Sequence, residues 1–144
     1  IQFINNKKTI PKPILIKISP DLSFFDIDNI IDLVKKYNIS GIVATNSSSK
    51  RLNLSLSARK IKSIGPGGLT GTPIKDVSTE IIKYISKKSS GSIPIIAVGG
   101  IMSAKDALEK IDAGASLVQL YTGFIFEGPK LVKNINKAIL NRLD

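Results

Sequence analysis

Short apolar strands and amphipathic helices alternate strictly along this chain, and this alternation constrains the fold more than any other feature. Apolar runs predict strands at about residues 14–18, 41–45, 95–98 and 116–120. Each run is followed by apolar residues at helical spacing, which predict helices over about residues 23–38, 76–88 and 103–113 and from 128 onward. Four such strand–helix units predict an α/β fold of parallel strands joined by right-handed crossovers.

The same spacing predicts which side of each element is buried. The first run, Ile14–Ile18, is typical of a strand buried on both faces. Each helix should present one apolar stripe to the sheet. The predicted inward residues are Phe24, Ile27, Ile30, Ile31, Val34, Val77, Ile81, Ile82, Ile85, Ala104, Ala107, Leu108, Ile111, Leu131, Val132, Ile135 and Ile139. Residues 46–75 lack this pattern, so they are predicted to form a long loop, and loops of that length are usually functional.

The position of the glycine-rich turns separates two parallel architectures. An open dinucleotide-binding sheet needs a glycine-rich turn after its first strand, but Lys17-Ile18-Ser19-Pro20 contains no glycine. Such turns follow the second, third and fourth strands instead. This favours a TIM (β/α)8 barrel, in which functional loops lie at the carboxyl ends of the strands. Because a complete barrel needs about 250 residues, a chain of 144 residues predicts the second half of one.

The chain contains no cysteine and no histidine. Disulfides, thiolate metal sites, cysteine nucleophiles and His-based triads are therefore excluded, and no metal site is predicted. Acid–base chemistry must come from carboxylates, Lys, Tyr, Ser or Thr, or from a cofactor. No apolar run approaches the roughly 20 residues of a spanning helix. The chain begins at Ile1 without a signal-peptide pattern, so we expect the natural N-terminus to lie upstream.

A formal net charge of +10 raises the question of a nucleic-acid partner. The lysines are scattered, however, with the pairs 35–36 and 87–88, together with Lys105 and Lys110, predicted on the polar sides of separate helices. No basic run exceeds two residues, and no aromatic residues are interleaved for base stacking. The pattern favours a solvated surface and no nucleic-acid partner. A weak attraction to polyanions or anionic lipids is the alternative.

Three glycine-rich turns are suited to an anion. They are Gly67-Gly68-Leu69-Thr70-Gly71, Val98-Gly99-Gly100 and Tyr121-Thr122-Gly123. Absent or small side chains let backbone N–H groups converge on phosphate oxygens. A single Gly-Gly pair is more often only a turn, but three at strand ends indicate a phosphorylated ligand.

Polar residues at the first two strands add a cation and hydrogen-bonding groups. Lys17 interrupts an apolar strand, where it either faces a ligand's negative charge or extends to solvent from the strand end. Thr45-Asn46-Ser47 directly follows the second strand and supplies donors and acceptors for a planar polar ligand. A helix cap or an Asx-turn is the alternative interpretation of this tripeptide.

Five motifs in this order resemble the C-terminal half of class 2 (quinone-dependent) dihydroorotate dehydrogenases over about residues 12–140. The motifs begin with Lys17-Ile18-Ser19-Pro20-Asp21-Leu22 and Thr45-Asn46-Ser47 and continue as Gly65-Pro66-Gly67-Gly68-Leu69-Thr70-Gly71-Thr72-Pro73, Ile95-Ile96-Ala97-Val98-Gly99-Gly100-Ile101 and 106–124. The segment Leu117-Val118-Gln119-Leu120-Tyr121-Thr122 is more similar to the quinone-using class than to the soluble class.

The resemblance implies an FMN-dependent barrel enzyme that oxidises dihydroorotate to orotate in pyrimidine biosynthesis and passes electrons to a quinone. In that case Lys17 and Thr45 contact the flavin and its ribityl chain. Gly71, Gly100, Tyr121 and Thr122 bind FMN largely through the backbone, the last three at its phosphate. Asn46 and Ser47 hydrogen-bond the substrate's carboxylate and pyrimidine edge; the family often has Thr at the latter position.

The resemblance also implies parts that residues 1–144, one partial FMN-binding barrel domain, do not supply. The family's catalytic base is a Ser in the first half of the barrel, and the quinone tunnel and membrane contact lie in N-terminal helices. A peripheral location at an inner membrane, bacterial (cytoplasmic face) or mitochondrial, is implied for the complete protein. We expect the chain alone to be unstable without the other barrel half or a second copy. An inactive FMN- or phosphate-binding half-barrel and another FMN- or phosphate-binding barrel oxidoreductase or isomerase are the alternatives.

Overall fold

Four short parallel strands lie side by side in the order of the sequence. The computed structural model describes residue 7 and residues 11–51 and 54–142. The strands are β1 (Leu15–Ile18), β2 (Gly41–Ala44), β3 (Ile95–Ala97) and β4 (Leu117–Val118), in the order β1-β2-β3-β4. Sequential parallel neighbours are the arrangement of adjacent barrel strands, whereas a doubly wound sheet reverses its order at a switch point. The predicted α/β fold of four parallel units is confirmed.

Four of the helices begin within one residue of where local sequence signals predict them. They are α1 (Phe24–Lys36), α2 (Ala58–Ile64), α3 (Lys75–Lys88), α4 (Ala104–Asp112), α5 (Thr122–Glu127) and α6 (Pro129–Leu140), with a 3-10 turn at Thr72–Ile74. Ser23 and Asp26 form a capping box at α1, in which each side chain accepts a hydrogen bond from the other's backbone N–H. Ser103 Oγ caps α4 by accepting from the Asp106 N–H.

One face of the sheet packs against the helices and the other does not. Ile18, Ile42, Ala44, Ile95 and Ala97 are buried against apolar residues of α1 and α3. The opposite face carries the row Lys17, Val43, Ile96 and Leu117, which the register aligns. We call this row and Leu15 the inner face. Leu117 is 61% exposed and Leu15 is 37% exposed.

The prediction that the first strand is buried on both faces is therefore wrong. Lys17 is exposed, and along β1 the inner-face residues Leu15 and Lys17 are more exposed than Ile16 and Ile18 on the helix-covered face. In the described part of the chain, no helix covers the inner face. An apolar run indicates burial on both faces only where both faces have a covering layer.

Three predicted inward residues are exposed instead. Val77 in α3 is 37% exposed, because the buried stripe of that helix includes the next residue, Ser78, instead. Val132 in α6 is 38% exposed, because the buried stripe there includes the preceding residue, Leu131. Phe24, at 43% exposure, lies at the start of α1, where its ring stacks on Tyr84 with centroids 4.3 Å apart. One residue corresponds to about 100° around a helix, so these are errors of phase at the edges of the stripes.

Lys110 is the clearest departure from the predicted surface. The sequence placed it on a polar helix side, but its side chain is fully buried. Lys110 shares the buried side of α4 with Ala107, and its Nζ donates to Lys75 O at 2.7 Å and to Thr79 Oγ1 at 2.6 Å. A lysine stem fills apolar space as well as an aliphatic residue does, so residue type alone misassigned it.

The stretch 46–75, predicted as a loop, contains α2 and the 3-10 turn. None of the residues of α2 is buried, so it has no apolar stripe that periodicity could detect. Ser57 caps its start. The Arg51 guanidinium holds its end by donating to Gly65 O at 2.7 Å and Gly67 O at 2.8 Å. The short helix α5 was likewise not predicted.

Candidate active site

A cavity of about 300 Å³ opens at the carboxyl ends of the four strands. Ligand sites in proteins commonly have volumes of about 300–1,000 Å³. All eight residues predicted as site residues line it: Lys17, Thr45, Asn46, Ser47, Gly71, Gly100, Tyr121 and Thr122. Residues separated by up to about a hundred positions in the sequence therefore meet in one place.

The cavity has a single charged residue in its lining. Lys17 supplies an ammonium group on the inner face, and no Asp, Glu or Arg is among the described residues that line the cavity. An uncompensated cation at the mouth of a partly apolar cavity raises the local concentration of anions. The electrostatics therefore favour an anionic ligand.

Thr45 contributes a buried hydroxyl that has no partner. Main-chain pairing continues past β2, because the Thr45 N–H donates to Val98 O at 2.7 Å, and this pairing places Thr45 between its neighbouring strands. Thr45 is 1% exposed, and within the described part of the chain its Oγ1 lacks a hydrogen-bond partner. Buried polar atoms are rarely left unpaired, since an unpaired one costs about 1–3 kcal/mol. Thr45 Oγ1 therefore has the properties of a ligand contact.

Asn46 and Ser47 lie on a loop that Asp21 fixes from the adjacent strand end. The Asp21 carboxylate accepts from Ser48 Oγ at 2.6 Å and from the Ser49 N–H at 2.7 Å. Hydrogen bonds from Ser48 and Ser49 hold the pKa of Asp21 below its usual value. Asn46 is exposed, so its amide is available at the cavity mouth.

The turn Gly99–Gly100 lies directly on the start of α3. A Cβ at Gly100 would overlap the backbone of Lys75, and Gly100 has a φ of 71°. Ser78, fully buried, donates its hydroxyl hydrogen to Val98 O at 2.8 Å from the same helix. Only glycine combines this close approach with a positive φ, so α3 supports a turn whose backbone faces the cavity.

The third turn closes the opposite wall. Thr122 Oγ1 lies 3.0 Å from Thr70 Oγ1, and the Thr122 methyl lies against Gly71. Tyr121 is 70% exposed, so its contribution to the lining is at the rim. Of the first glycine-rich turn only Thr70 and Gly71 line the cavity, because Gly68 packs on Ser47 instead.

The sequence did not single out several lining residues. Gln119 and Thr70 add polar groups to the cavity. Gln119 directly follows β4, with its N–H donating to Ala97 O at 2.8 Å, so its position after an apolar strand is a signal that could have identified it. Thr70 lay within a glycine motif and had no signal of its own.

Four adjacent parallel strands with an anion-favouring cavity at their carboxyl ends define the class as a ligand-binding (β/α)-barrel protein. A family model described as Dihydroorotate dehydrogenase matches residues 2–143. The chain belongs to the dihydroorotate dehydrogenase family.

The relatives and the solved structures agree with this family. Proteins named dihydroorotate dehydrogenase (quinone) are 50% identical over 142 residues in Christiangramia forsetii and 51% identical over 138 residues in Synechocystis. This chain aligns over 99% and 92% of its length with these two relatives, but spans only 41% and 36% of theirs. A ligand-free structure from Eimeria tenella superposes with a TM-score of 0.82 at 34% identity, covering 92% of this chain and 36% of that one. The Eimeria enzyme bound to ferulenol gives 0.83 at 33% identity, with coverage of 95% and 36%.

Proposed function

We propose that this chain forms the cofactor-binding and part of the substrate-binding region of a dihydroorotate dehydrogenase that oxidises dihydroorotate to orotate with FMN. The observation that carries the proposal is the meeting of all eight predicted residues at one cavity with a single cation. Family membership supports the same activity. In this proposal, residues 1–144 form one partial barrel domain.

The residues present fit an anionic flavin nucleotide. The lining combines an unpartnered buried hydroxyl at Thr45, the ammonium of Lys17 and turns without side chains at Gly71 and Gly100. When bound, FMN supplies a carrier that accepts two electrons as a hydride from the substrate. Lys17 would stabilise negative charge on the bound flavin, because it is the one charged residue among the described residues that line the cavity. Thr45 Oγ1 donates to the ring or the ribityl chain.

Gly100, Tyr121 and Thr122, which line the cavity, would hold the phosphate of FMN through their main-chain N–H groups. Asn46 and Ser47 hold the substrate's carboxylate and pyrimidine edge, since their amide and hydroxyl groups donate and accept hydrogen bonds. Both residues lie on the loop that Asp21 fixes, which keeps them oriented before the substrate arrives.

We propose that the proton acceptor for the substrate lies outside the residues of this cavity, as the family resemblance implies. None of the described lining residues is His, Cys, Asp or Glu, and Ser47 is assigned to substrate binding; a positioned base contributes about 10²–10⁴-fold to rate. We place the base, a Ser, in the remaining part of the barrel. A quinone is the proposed final electron acceptor, as the names of the relatives indicate for those proteins.

We propose that the complete protein, as a quinone-using enzyme, is peripheral at an inner membrane, at the cytoplasmic face in bacteria or in the mitochondrion of a eukaryote. In the described part of the chain, no helix is both long and apolar enough to cross a bilayer. Flotation of the complete protein with lipid vesicles tests this location. Recovery only in the unbound fraction would contradict it.

A chimera tests the activity. The 144 residues replace the matching 142-residue segment of the Christiangramia forsetii relative, to which they are 50% identical. We expect the purified chimera to retain FMN and to reduce a dye only when dihydroorotate is added, with orotate as product. A chimera that binds FMN but produces no orotate would instead support the inactive binding module.

Two substitutions in this chimera test the cavity roles. Lys17→Ala removes the cation and should weaken FMN retention and slow flavin reduction. Lys83→Ala, an exposed lysine on α3, is the matched control and should change neither. Thr122→Ala should have a smaller effect if main-chain groups hold the phosphate. Unchanged reduction kinetics in Lys17→Ala would exclude its proposed role.

The chain alone should not form a stable monomer. Within the described part of the chain, β1 and β4 each pair with one neighbouring strand only, and the inner face carries Leu15 and Leu117 exposed. We propose that the other barrel half, or a second copy, covers this face. Gel filtration of the 144 residues should give aggregates or oligomers, and a compact monomer with a cooperative thermal transition would contradict the proposal.

A further inference from the structure

The start of α3 supports the glycine turn that faces the cavity. The backbone and Cβ of Lys75 fill the space where a Cβ of Gly100 would lie, and Ser78 fills the corresponding space at Gly99. Because this contact is with main chain rather than with a flexible side chain, a shift of the first turn of α3 moves the Gly99–Gly100 backbone with it. The position of Lys75 therefore determines where the turn's N–H groups point.

Two interactions from α4 hold this first turn in place. On the solvent side, Lys75 Nζ bonds Asp106 Oδ1 at 2.8 Å and Glu109 Oε2 at 3.1 Å. On the buried side, Lys110 Nζ donates to Lys75 O and to Thr79 Oγ1. The carboxylates of Asp106 and Glu109 raise the pKa of Lys75, so this outer pair persists through the physiological range. Lys110 binds the helix backbone itself.

Lys110 is an unfavourable residue for stability alone. Its side chain is fully buried, and removing an ammonium from water costs several kcal/mol unless paired. Its direct partners are a carbonyl and a hydroxyl, neither of them charged. An aliphatic side chain would fill the same space without that cost. The two hydrogen bonds to α3 are what an aliphatic residue could not supply.

We propose that Lys110 is a positioning residue for the phosphate end of the cavity. It acts through Lys75 O and Thr79 Oγ1, which fix the first turn of α3 beneath Gly99–Gly100. This role rests on the proposed function, since it assumes that Gly100 faces the phosphate of FMN. Lys110 itself does not line the cavity.

The test compares FMN with riboflavin, which lacks the phosphate. Both are titrated into the chimera described above, for wild type, Lys110→Met and Lys105→Met, with binding followed by flavin fluorescence. Lys105 lies on the same helix but is exposed, so it is the matched control for loss of a lysine. We expect Lys110→Met to raise the Kd for FMN about tenfold, the effect of one lost hydrogen bond, and to leave the Kd for riboflavin unchanged.

Each outcome is decisive. Equal weakening of FMN and riboflavin would show a general structural role and overturn the proposal, as would no change in either Kd. If Lys110→Met fails to fold, Thr79→Val removes one Lys110 partner with little change in shape and should reduce the preference for FMN in the same direction. A wild-type chimera that prefers FMN over riboflavin but does not oxidise dihydroorotate would refute the proposed activity alone. A wild type without any preference for FMN would refute both.

Discussion

The burial of Lys110 makes stability depend on pH in the alkaline range. Burial lowers the pKa of Lys110 to about 8, against 10.5 for an exposed lysine. The groups facing it are the cation Lys75 and the anion Asp76 from α3 and the carboxylates of Asp106 and Glu109 from its own helix. Below pH 8 the ammonium is charged in both the folded and unfolded states, so its burial cost is constant there.

Above pH 8 the folded state releases this proton while the unfolded chain keeps it up to about pH 10.5. The unfolded state then binds more protons, so the free energy of unfolding rises with pH. At about 1.4 kcal/mol per pKa unit, the rise between pH 8 and 10.5 is at most about 3 kcal/mol. The expected sign is an increase in stability towards alkaline pH.

Urea unfolding of the chimera at pH 7, 8, 9 and 10 measures this slope. Lys110→Met should remove the increase, whereas Lys105→Met should retain it. Subtracting the Lys110→Met profile cancels the contributions of the other titrating groups. Among these, Lys75 and Lys88 have pKa values raised by their carboxylate partners, so they lose their protons at higher pH. Parallel profiles for wild type and Lys110→Met would refute the reasoning.

Three further predictions concern single contacts. Gly100→Ala should destabilise the protein by about 2–5 kcal/mol, because a Cβ would strain a positive φ and overlap Lys75. Urea unfolding measures this loss, and a loss below about 0.5 kcal/mol, the size of an ordinary surface change, would contradict the prediction. Thr45→Val should raise the stability of the flavin-free protein by about 1–2 kcal/mol, because its buried hydroxyl has no hydrogen-bond partner until a ligand binds. The same change should weaken flavin binding. Unchanged flavin binding would show that the hydroxyl has no ligand role. Ser23→Ala should cost about 1 kcal/mol, because it removes the capping box with Asp26, and thermal unfolding that is unchanged would contradict this.

The order and type of the main elements could be predicted because each carries a local signal. The capping residues Ser23 and Ser103 fix where α1 and α4 begin, and apolar runs fix the strands. The short helices α2 and α5 could not be predicted, because each is under eight residues and α2 buries none of its side chains. Their formation depends on contacts from elsewhere, such as the Arg51 guanidinium at the end of α2.

The candidate site residues were predicted from glycines and polar residues at the ends of strands, and the family resemblance assigned their roles. That rule brings Lys17, Thr45 and Gly100 together because parallel strands end at one edge of the sheet. The rule could not identify Lys110 as a buried residue that contacts α3, because the spacing of residues within α4 contains no information on that contact. It could not show that Gly68 packs on Ser47 rather than on the cavity, since both positions belong to glycine motifs of equal appearance.

The charge of Lys17, at the β1 edge of the inner face, has a consequence for self-association. Lys17 is flanked in its row by Val43 and, further along, by Ile96 and Leu117, all of them apolar. Two identical inner faces meeting each other would bury both Lys17 ammonium groups in a dehydrated apolar contact, and neither row supplies a neutralising carboxylate, so each group would lose its hydration without a counter-charge. A heterologous surface that brings an anion avoids this penalty, so of the two covers proposed for this face Lys17 favours the other barrel half over a second copy.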